Sequence, residues 1–178
     1  MTIFCLEQNY LAHKRDRDLG NNSTPEVFLK PGTALLPKVN DMNFQQFKTA
    51  RLYAQCEIVL HISADGKDIS EEEAGTFFDS ITTGINFTKI NIQDELDGAI
   101  VKWEEAKAWP HSSAIGEWFN VKDYNNSHDI NFCMYYNREM GQMANTDLMI
   151  ADFNKIISMI SSQYALHIGD IIFTGSPL

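Results

Sequence analysis

The chain has 178 residues, 44% hydrophobic and 11% aromatic, which suits a packed globular core and excludes a disordered composition. Its formal charge is -10, from 24 acidic against 14 basic side chains, and the one basic cluster, HKRDR at 13–17, is interrupted by Asp16, so a nucleic-acid partner is excluded as a main task. The start, MTIFCLEQNY, carries no basic segment or long apolar run, and no stretch approaches the ~20 apolar residues of a membrane span, so a cytoplasmic chain without a membrane partner is expected.

TIFCL suits a first strand. The segment NNSTPEVFLKPGTALLP is punctuated by Pro25, Pro31, Gly32 and Pro37, and reads as extended chain with turns around a short strand at 27–30. RLYAQCEIVLHI, at 51–62, splits by parity into two faces. Ala54, Cys56, Ile58, Leu60 and Ile62 form an apolar one, while Tyr53, Gln55, Glu57, Val59 and His61 form one that carries every polar group. Side chains alternate along a strand, so this is a strand with one packed face and one presenting chemistry. Gln55 and Glu57 on that face read as part of a metal site, as the remnant of one, or as solvated polar residues.

After the turn SADGKDIS, Ser70 caps a helix over SEEEAGTFFDSI, with Glu73 completing a capping box. TTGINFTKI is β-branched and aromatic, a strand. NFCMYYNRE has strand composition and leads into a turn at Asn137. From Asp147, the residues Met149, Ile150, Phe153, Ile156, Ile157 and Ile160 follow helical spacing. LHIGDIIFTGSPL closes with a Gly-Asp turn and a strand. Cys5, Cys56 and Cys133 are odd in number, far apart and set among apolar residues, so they are expected as buried, reduced thiols. Short strands among two or three helices, without a βαβ rhythm, predict a β-rich α+β fold in a single domain.

The segments CLEQNYLAH, VFLKPGTALL, QCEIVL, GINFTKINIQ, KAWPHSSAIG, QMANTDLMI and IGDIIFTGSP together resemble, in order and spacing, the fumarylacetoacetate hydrolase family. That family includes fumarylpyruvate and acylpyruvate hydrolases, oxaloacetate decarboxylases and 2-hydroxyhepta-2,4-diene-1,7-dioate isomerases. The resemblance covers essentially residues 1–178 and implies the family's α+β fold of mixed sheets and a few short helices, usually as a homodimer. Relatives continue past Leu178, so the last turn and strand of the domain are expected to be missing. It also implies a magnesium or manganese site and metal-assisted hydrolysis, decarboxylation or isomerisation of small 2-oxo acids through an enolate.

By that resemblance the metal ligands, an E-x-E pair and an Asp on the neighbouring strand, fall at Gln55, Glu57 and Asn86, so two of the carboxylates are amides. Their carbonyl oxygens keep the hard-donor geometry, but the lost charge predicts weak or lost magnesium binding. Lys107 corresponds to the enolate-handling lysine; the Asp and Gly that follow it in the family are replaced around Pro110 and His111. Gln93 stands at a substrate position, while the family's Arg and following Asp become Ile90 and Asn91. Asn9 and Tyr10 match a substrate-side motif with Gln8 in place of Arg, and His13 with Asp16 matches its water-activating dyad. Thr174, Gly175 and Ser176 match the substrate loop.

Two readings follow. One is an enzyme of this family with a relaxed, weakly metal-dependent site for a small 2-oxo acid. The other is a pseudoenzyme that keeps the fold as a small-acid-binding or dimeric scaffold. Gln8, Gln55, Asn86, Ile90 and Pro110 all fall at site positions while FLKP and GDIIFTG survive, and such selective loss favours the second.

Overall fold

The computed structural model describes residues 1–12, 24–37, 51–90, 103–123 and 129–177. The strands of its main sheet are β1 (Thr2–Glu7), β2 (Glu26–Pro31), β3 (Leu52–Ile62), β4 (Phe78–Lys89), β5 (Ser113–Ile115), β6 (Phe119–Asn120) and β9 (Ile171–Phe173). They are ordered β2-β1-β9-β3-β4-β5, with β6 on β4. β1 runs parallel to β9 and every other pairing is antiparallel, so the sheet is mixed. β7 (Asn131–Tyr136) and β8 (Glu139–Asn145) form a separate hairpin, turned by Asn137 and Arg138 at positive φ.

The parity of residues 51–62 decides how this sheet is packed. Cys56, Ile58, Leu60 and Ile62 join Phe4 and Leu6 against Ile156, Ile157 and Ile160 of the helix α3 (Phe153–Gln163). Val59 packs on the opposite face with Ile3, Cys5, Ile171 and Phe173. Both faces are therefore covered at the middle of β3, and of the polar residues that share parity with Val59, Glu57 is carried inward while Gln55 and His61 are half-buried and Tyr53 is exposed.

The two helices read from the sequence are shorter than expected. Ser70 caps α1 (Glu71–Ala74) as foreseen, accepting from the Glu73 N–H at 3.3 Å and donating to its carboxylate at 2.9 Å. The helix then stops at Gly75, because β4 begins at Phe78 and pairs with β3 along its whole length. Ladder pairing and burial outweigh local propensity there. The helix expected from Asp147 begins at Phe153: Asp152 accepts from the Lys155 N–H at 2.9 Å and makes the cap, while Thr146–Leu148 is a single 3-10 turn. Cys5 and Cys56 are buried, but Cys133 is exposed on the outer face of β7. Between Trp109 and β5 the chain turns tightly at His111, which has φ 64 and leads to two fully buried serines, Ser112 and Ser113. They follow α2 (Trp103–Lys107), whose last residue is the predicted site lysine.

Candidate active site

The polar end of the Val59 face gathers residues from β1, β2, β3, β4, α2, the serines at 112 and 113 and the loop at 174–176. On β3, Glu57 lies next to Gln55 in parity and opposite Gly84 of β4; Gln55 lies opposite Asn86. Gly84 is required by close approach: a Cβ there would stand 2.6 Å from Val59 Cγ2 and 2.7 Å from Phe173 Cε1.

Glu57 is 1% exposed, and both of its oxygens are engaged. Oε1 accepts from Asn86 Nδ2 at 2.9 Å and Oε2 from the Gly175 N–H at 2.7 Å. Burial pushes its carboxyl up to about 7, against the opposing pull of those two bonds and of Lys30; the nearby Glu7 adds to the rise. Asn86 Oδ1 in turn accepts from the ammonium of Lys30 at 2.7 Å. Lys30 is 1% exposed and donates also to the Ser112 carbonyl, Ser112 Oγ and Ser113 Oγ at 3.0, 3.3 and 3.0 Å. Burial holds this lysine down to about 8. Carboxyl, amide and ammonium thus form one chain in which each donor meets an acceptor.

Lys107, at the end of α2, bonds the carboxylate of Glu7, the last residue of β1, and lies 5.1 Å over the Phe28 ring. The Lys107 side chain is 3% exposed and that of Glu7 23%, so this ion pair forms the wetter edge of the cluster.

The loop at 174–176 runs beside β3. Thr174 bonds the Ile58 carbonyl through both its N–H and its Oγ1, Gly175 reaches Glu57, and Ser176 Oγ accepts from Gln142 Nε2 at 2.9 Å. Gly175 has φ +92, in the left-handed region, and a Cβ would meet Asn9 Cβ at 3.0 Å. Asn9 is fully buried and binds backbone throughout: it donates to the Ala151 and Thr174 carbonyls and accepts from the Ala151 N–H. Tyr10 packs in the core on the α3 side of the sheet, where burial pushes its phenol far up. Of the expected substrate contacts, Gly175 is thus brought to Glu57, Thr174 to the Ile58 carbonyl and Ser176 to Gln142, while Asn9 braces the loop and Tyr10 the core. His13, Asp16, Gln93 and Asn91 lie outside the described residues.

Lys30, Ser112, Ser113, Glu7 and Gln142 had no role in the sequence reading. A signal existed for two of them. Lys30 follows the apolar run Val27, Phe28 and Leu29 directly, and Glu7 continues the parity of Ile3 and Cys5. The serines come in by the turn at His111, which no spacing rule reveals.

The donors present do not fit a divalent cation of the magnesium type, which takes oxygens and favours several negative charges. Glu57 is the one carboxylate of the three strand positions; the amide between it and Lys30 presents N–H to the carboxylate, and its oxygen faces an ammonium. Among the described residues no group of three or more His, Cys, Asp or Glu side chains is placed to hold a metal.

Comparison with known proteins agrees with this architecture. Over 175 residues the chain is 27% identical to the mitochondrial oxaloacetate tautomerase FAHD1 of Bos taurus, covering 98% of this chain and 79% of that protein. A fumarylacetoacetate hydrolase family protein of Yersinia pestis CO92, described as putative in its own structure, superposes with TM-score 0.83 at 25% identity, over 99% of this chain and 80% of that one. Fumarylpyruvate hydrolase of Pseudomonas aeruginosa, solved with Mn2+ and pyruvate, has the same fold at TM-score 0.84 and 23% identity, over 99% and 77%. The family model for the fumarylacetoacetate (FAA) hydrolase C-terminal region matches residues 2–178. Matched by that model along nearly its whole length, the chain belongs to the fumarylacetoacetate hydrolase family.

Proposed function

We propose that this chain binds a small 2-oxo acid and moves a proton between its keto and enol forms, with lysine ammonium groups in place of a divalent cation. The observation that carries this reading is the buried chain Glu57–Asn86–Lys30, in which an acid pushed up to about 7 and a base held down to about 8 both sit near neutrality. A group that gives and takes protons works best with its pKa near the operating pH. Each Glu57 oxygen keeps a second lone pair beyond the bond it already accepts. The carboxylate takes the proton from the carbon beside the 2-oxo group, the electron pair moves onto the carbonyl oxygen, and an ammonium stabilises and then protonates that enolate. Lys107, on the wetter edge, fits the role of anchoring substrate carboxylate. The tautomerase activity named for the bovine relative supports the same reaction class.

Decay of enol-oxaloacetate, followed by ultraviolet absorbance in the presence of a chelator, tests this. Turnover is expected to persist with the chelator and to fall ~100-fold or more in Glu57→Gln. Activity that vanishes with chelator and returns with Mn2+ would sink the metal-free reading.

The ion pair between Lys107 and Glu7 favours a second reading, a pseudoenzyme that binds a small acid without turnover, since the site's outer cation is already neutralised from within. Calorimetry separates the two: pyruvate binding with no tautomerisation leaves only the second. In either case we propose a homodimer; the exposed Tyr135, Tyr136, Met140 and Met143 on the β7–β8 hairpin support it, and sedimentation at micromolar concentration checks it. A cytoplasmic location is part of the proposal; the mitochondrial address is that of the bovine relative. No helix among the described residues is long and apolar enough to cross a membrane.

A further inference from the structure

We infer that Gln142, on the β7–β8 hairpin, is a positioning residue for Glu57, because its amide grips the neighbours of both partners in the Glu57–Gly175 hydrogen bond. The inference rests on the reading above, in which Glu57 is the working carboxyl.

β9 pairs with β3 only at Val59, Leu60 and His61. Beyond that point β3 has no strand on its β9 side among the described pairings, although its other side is paired with β4 out to Leu52. The backbone of Cys56 would be left open there, one residue from the carboxylate. Gln142 fills that position as a strand neighbour does. Its Oε1 accepts from the Cys56 N–H at 2.9 Å and its Nε2 donates to the Cys56 carbonyl at 2.8 Å. The same Nε2 also donates to Ser176 Oγ at 2.9 Å, and Ser176 Oγ donates in turn to the Pro177 carbonyl at 3.0 Å.

One side chain therefore holds residue 56 on one side and residue 176 on the other. Between these two clamped positions lie Glu57 and Gly175, joined at 2.7 Å. Gly175 has a left-handed φ, and Asn9 Nδ2 holds the residue before it by donating to the Thr174 carbonyl at 2.9 Å, so the Gln142 amide ties the other side of the same short loop. A merely structural tie between hairpin and sheet would have no need to reach Ser176.

Losing the clamp is expected to loosen the Gly175 N–H from the carboxylate. That N–H favours the ionised form, so the Glu57 titration moves upward. The other charged or titratable groups facing Glu57 are Cys5 and Glu7 on β1, Lys30 on β2, Cys56 on β3, and Tyr10; none touches Gln142 by a side-chain bond among the described residues.

The measurement is the infrared carboxyl band that Glu57→Gln abolishes, followed against pH in the full chain. It reads Glu57 whether or not the protein turns anything over. In Gln142→Met the midpoint is expected to rise by about one pH unit, the scale of one hydrogen bond to a charged group, together with loss of tautomerisation. Ser176→Ala, which keeps the clasp on Cys56, is expected to move it the same way by less. A folded Gln142→Met with an unmoved midpoint and only a lower melting temperature overturns the inference; if that variant does not fold, an unmoved midpoint in Ser176→Ala does so. A shifted midpoint in a protein without turnover upholds the positioning role and overturns the proposed activity instead.

Discussion

Lys30 Nζ donates to Asn86 Oδ1 at 2.7 Å, and this contact decides which way the amide faces: its NH2 group is left to point at Glu57. An ammonium has no acceptor to offer, so the reverse orientation would leave donor against donor. The amide at 86 thereby links an acid and a base that are both buried, and its orientation keeps its own oxygen away from the carboxylate. A metal would need both oxygens on one side.

Restoring charge is the direct test of that arrangement. Wild-type protein is expected to show no micromolar Mn2+ affinity in calorimetric titration. Gln55→Glu with Asn86→Asp returns two carboxylates to the strand face and is expected to improve binding by at least tenfold, about 1.4 kcal/mol. A double variant no better than wild type would mean that the ligand positions are elsewhere.

The pH dependence of stability has a definite sign. Glu57 rises from an ordinary 4.5 to about 7, so between those values the folded chain holds a proton that the unfolded chain has released, and stability falls as pH rises through that window. Lys30 falls from 10.5 to about 8, so between those values the unfolded chain holds the extra proton and stability climbs with pH. A minimum between about 7 and 8 is expected from these groups. Urea unfolding of wild type and Glu57→Gln at pH 5 and pH 7.5 checks it: the variant should lose most of the acid-side gain, on the order of 3 kcal/mol. Parallel profiles in the two proteins would show that Glu57 does not titrate in this window.

Glu7 neutralises Lys107 from within the chain. Glu7→Gln keeps a hydrogen-bonding side chain of the same length but leaves the ammonium with a larger net charge. Affinity for pyruvate or oxaloacetate is expected to rise several-fold, the worth of a partly exposed ion pair being about 1 kcal/mol, whereas Lys107→Met lowers it. Equal affinities in wild type and both variants would remove Lys107 from the binding site.

Gly175→Ala forces a side chain onto a residue at φ +92 with Asn9 Cβ 3.0 Å away. A left-handed non-glycine residue costs about 1–2 kcal/mol before any contact is counted, so the melting temperature is expected to drop by roughly 5 °C. An unchanged melting temperature would show that the loop can seat in another conformation.

Parity made much of this site legible. Reading residues 51–62 as a two-faced strand places Glu57 and Gln55 together, and the structure keeps that placement with Val59 as their neighbour. Strand existence at 2–7, 27–30 and 131–136 follows the same apolar runs, with boundaries moved by a residue or so. What was not legible depends on long-range closure. β4 displaces most of the expected helix after Ser70 because β3 offers it a full-length partner, which no local window contains. Lys30 looked like scaffold because a lysine shows its charge in sequence but not its burial. Ser112 and Ser113 become its acceptors only through the turn at His111. Gln142 acts through an amide 86 residues away from its partner Cys56, a distance that spacing cannot read.

The parallel pairing of β1 with β9 has a consequence for biosynthesis. Ile3, Phe4 and Cys5 find their neighbours in Ile171, Ile172 and Phe173, and the Thr2 N–H bonds Asp170 at 2.6 Å. A ribosome delivers Thr2 and Asp170 with 168 residues of chain between them. Until residue 173 has emerged, β1 has β2 on one flank and a bare edge on the other, and the acid at position 57 has no loop to receive it. Contacts of such sequence separation form slowly, and an unpaired apolar edge invites other chains. The nascent polypeptide therefore carries an aggregation-prone half-sheet until residues 171–175 have emerged, and the glycine that meets Glu57 arrives 118 residues after it.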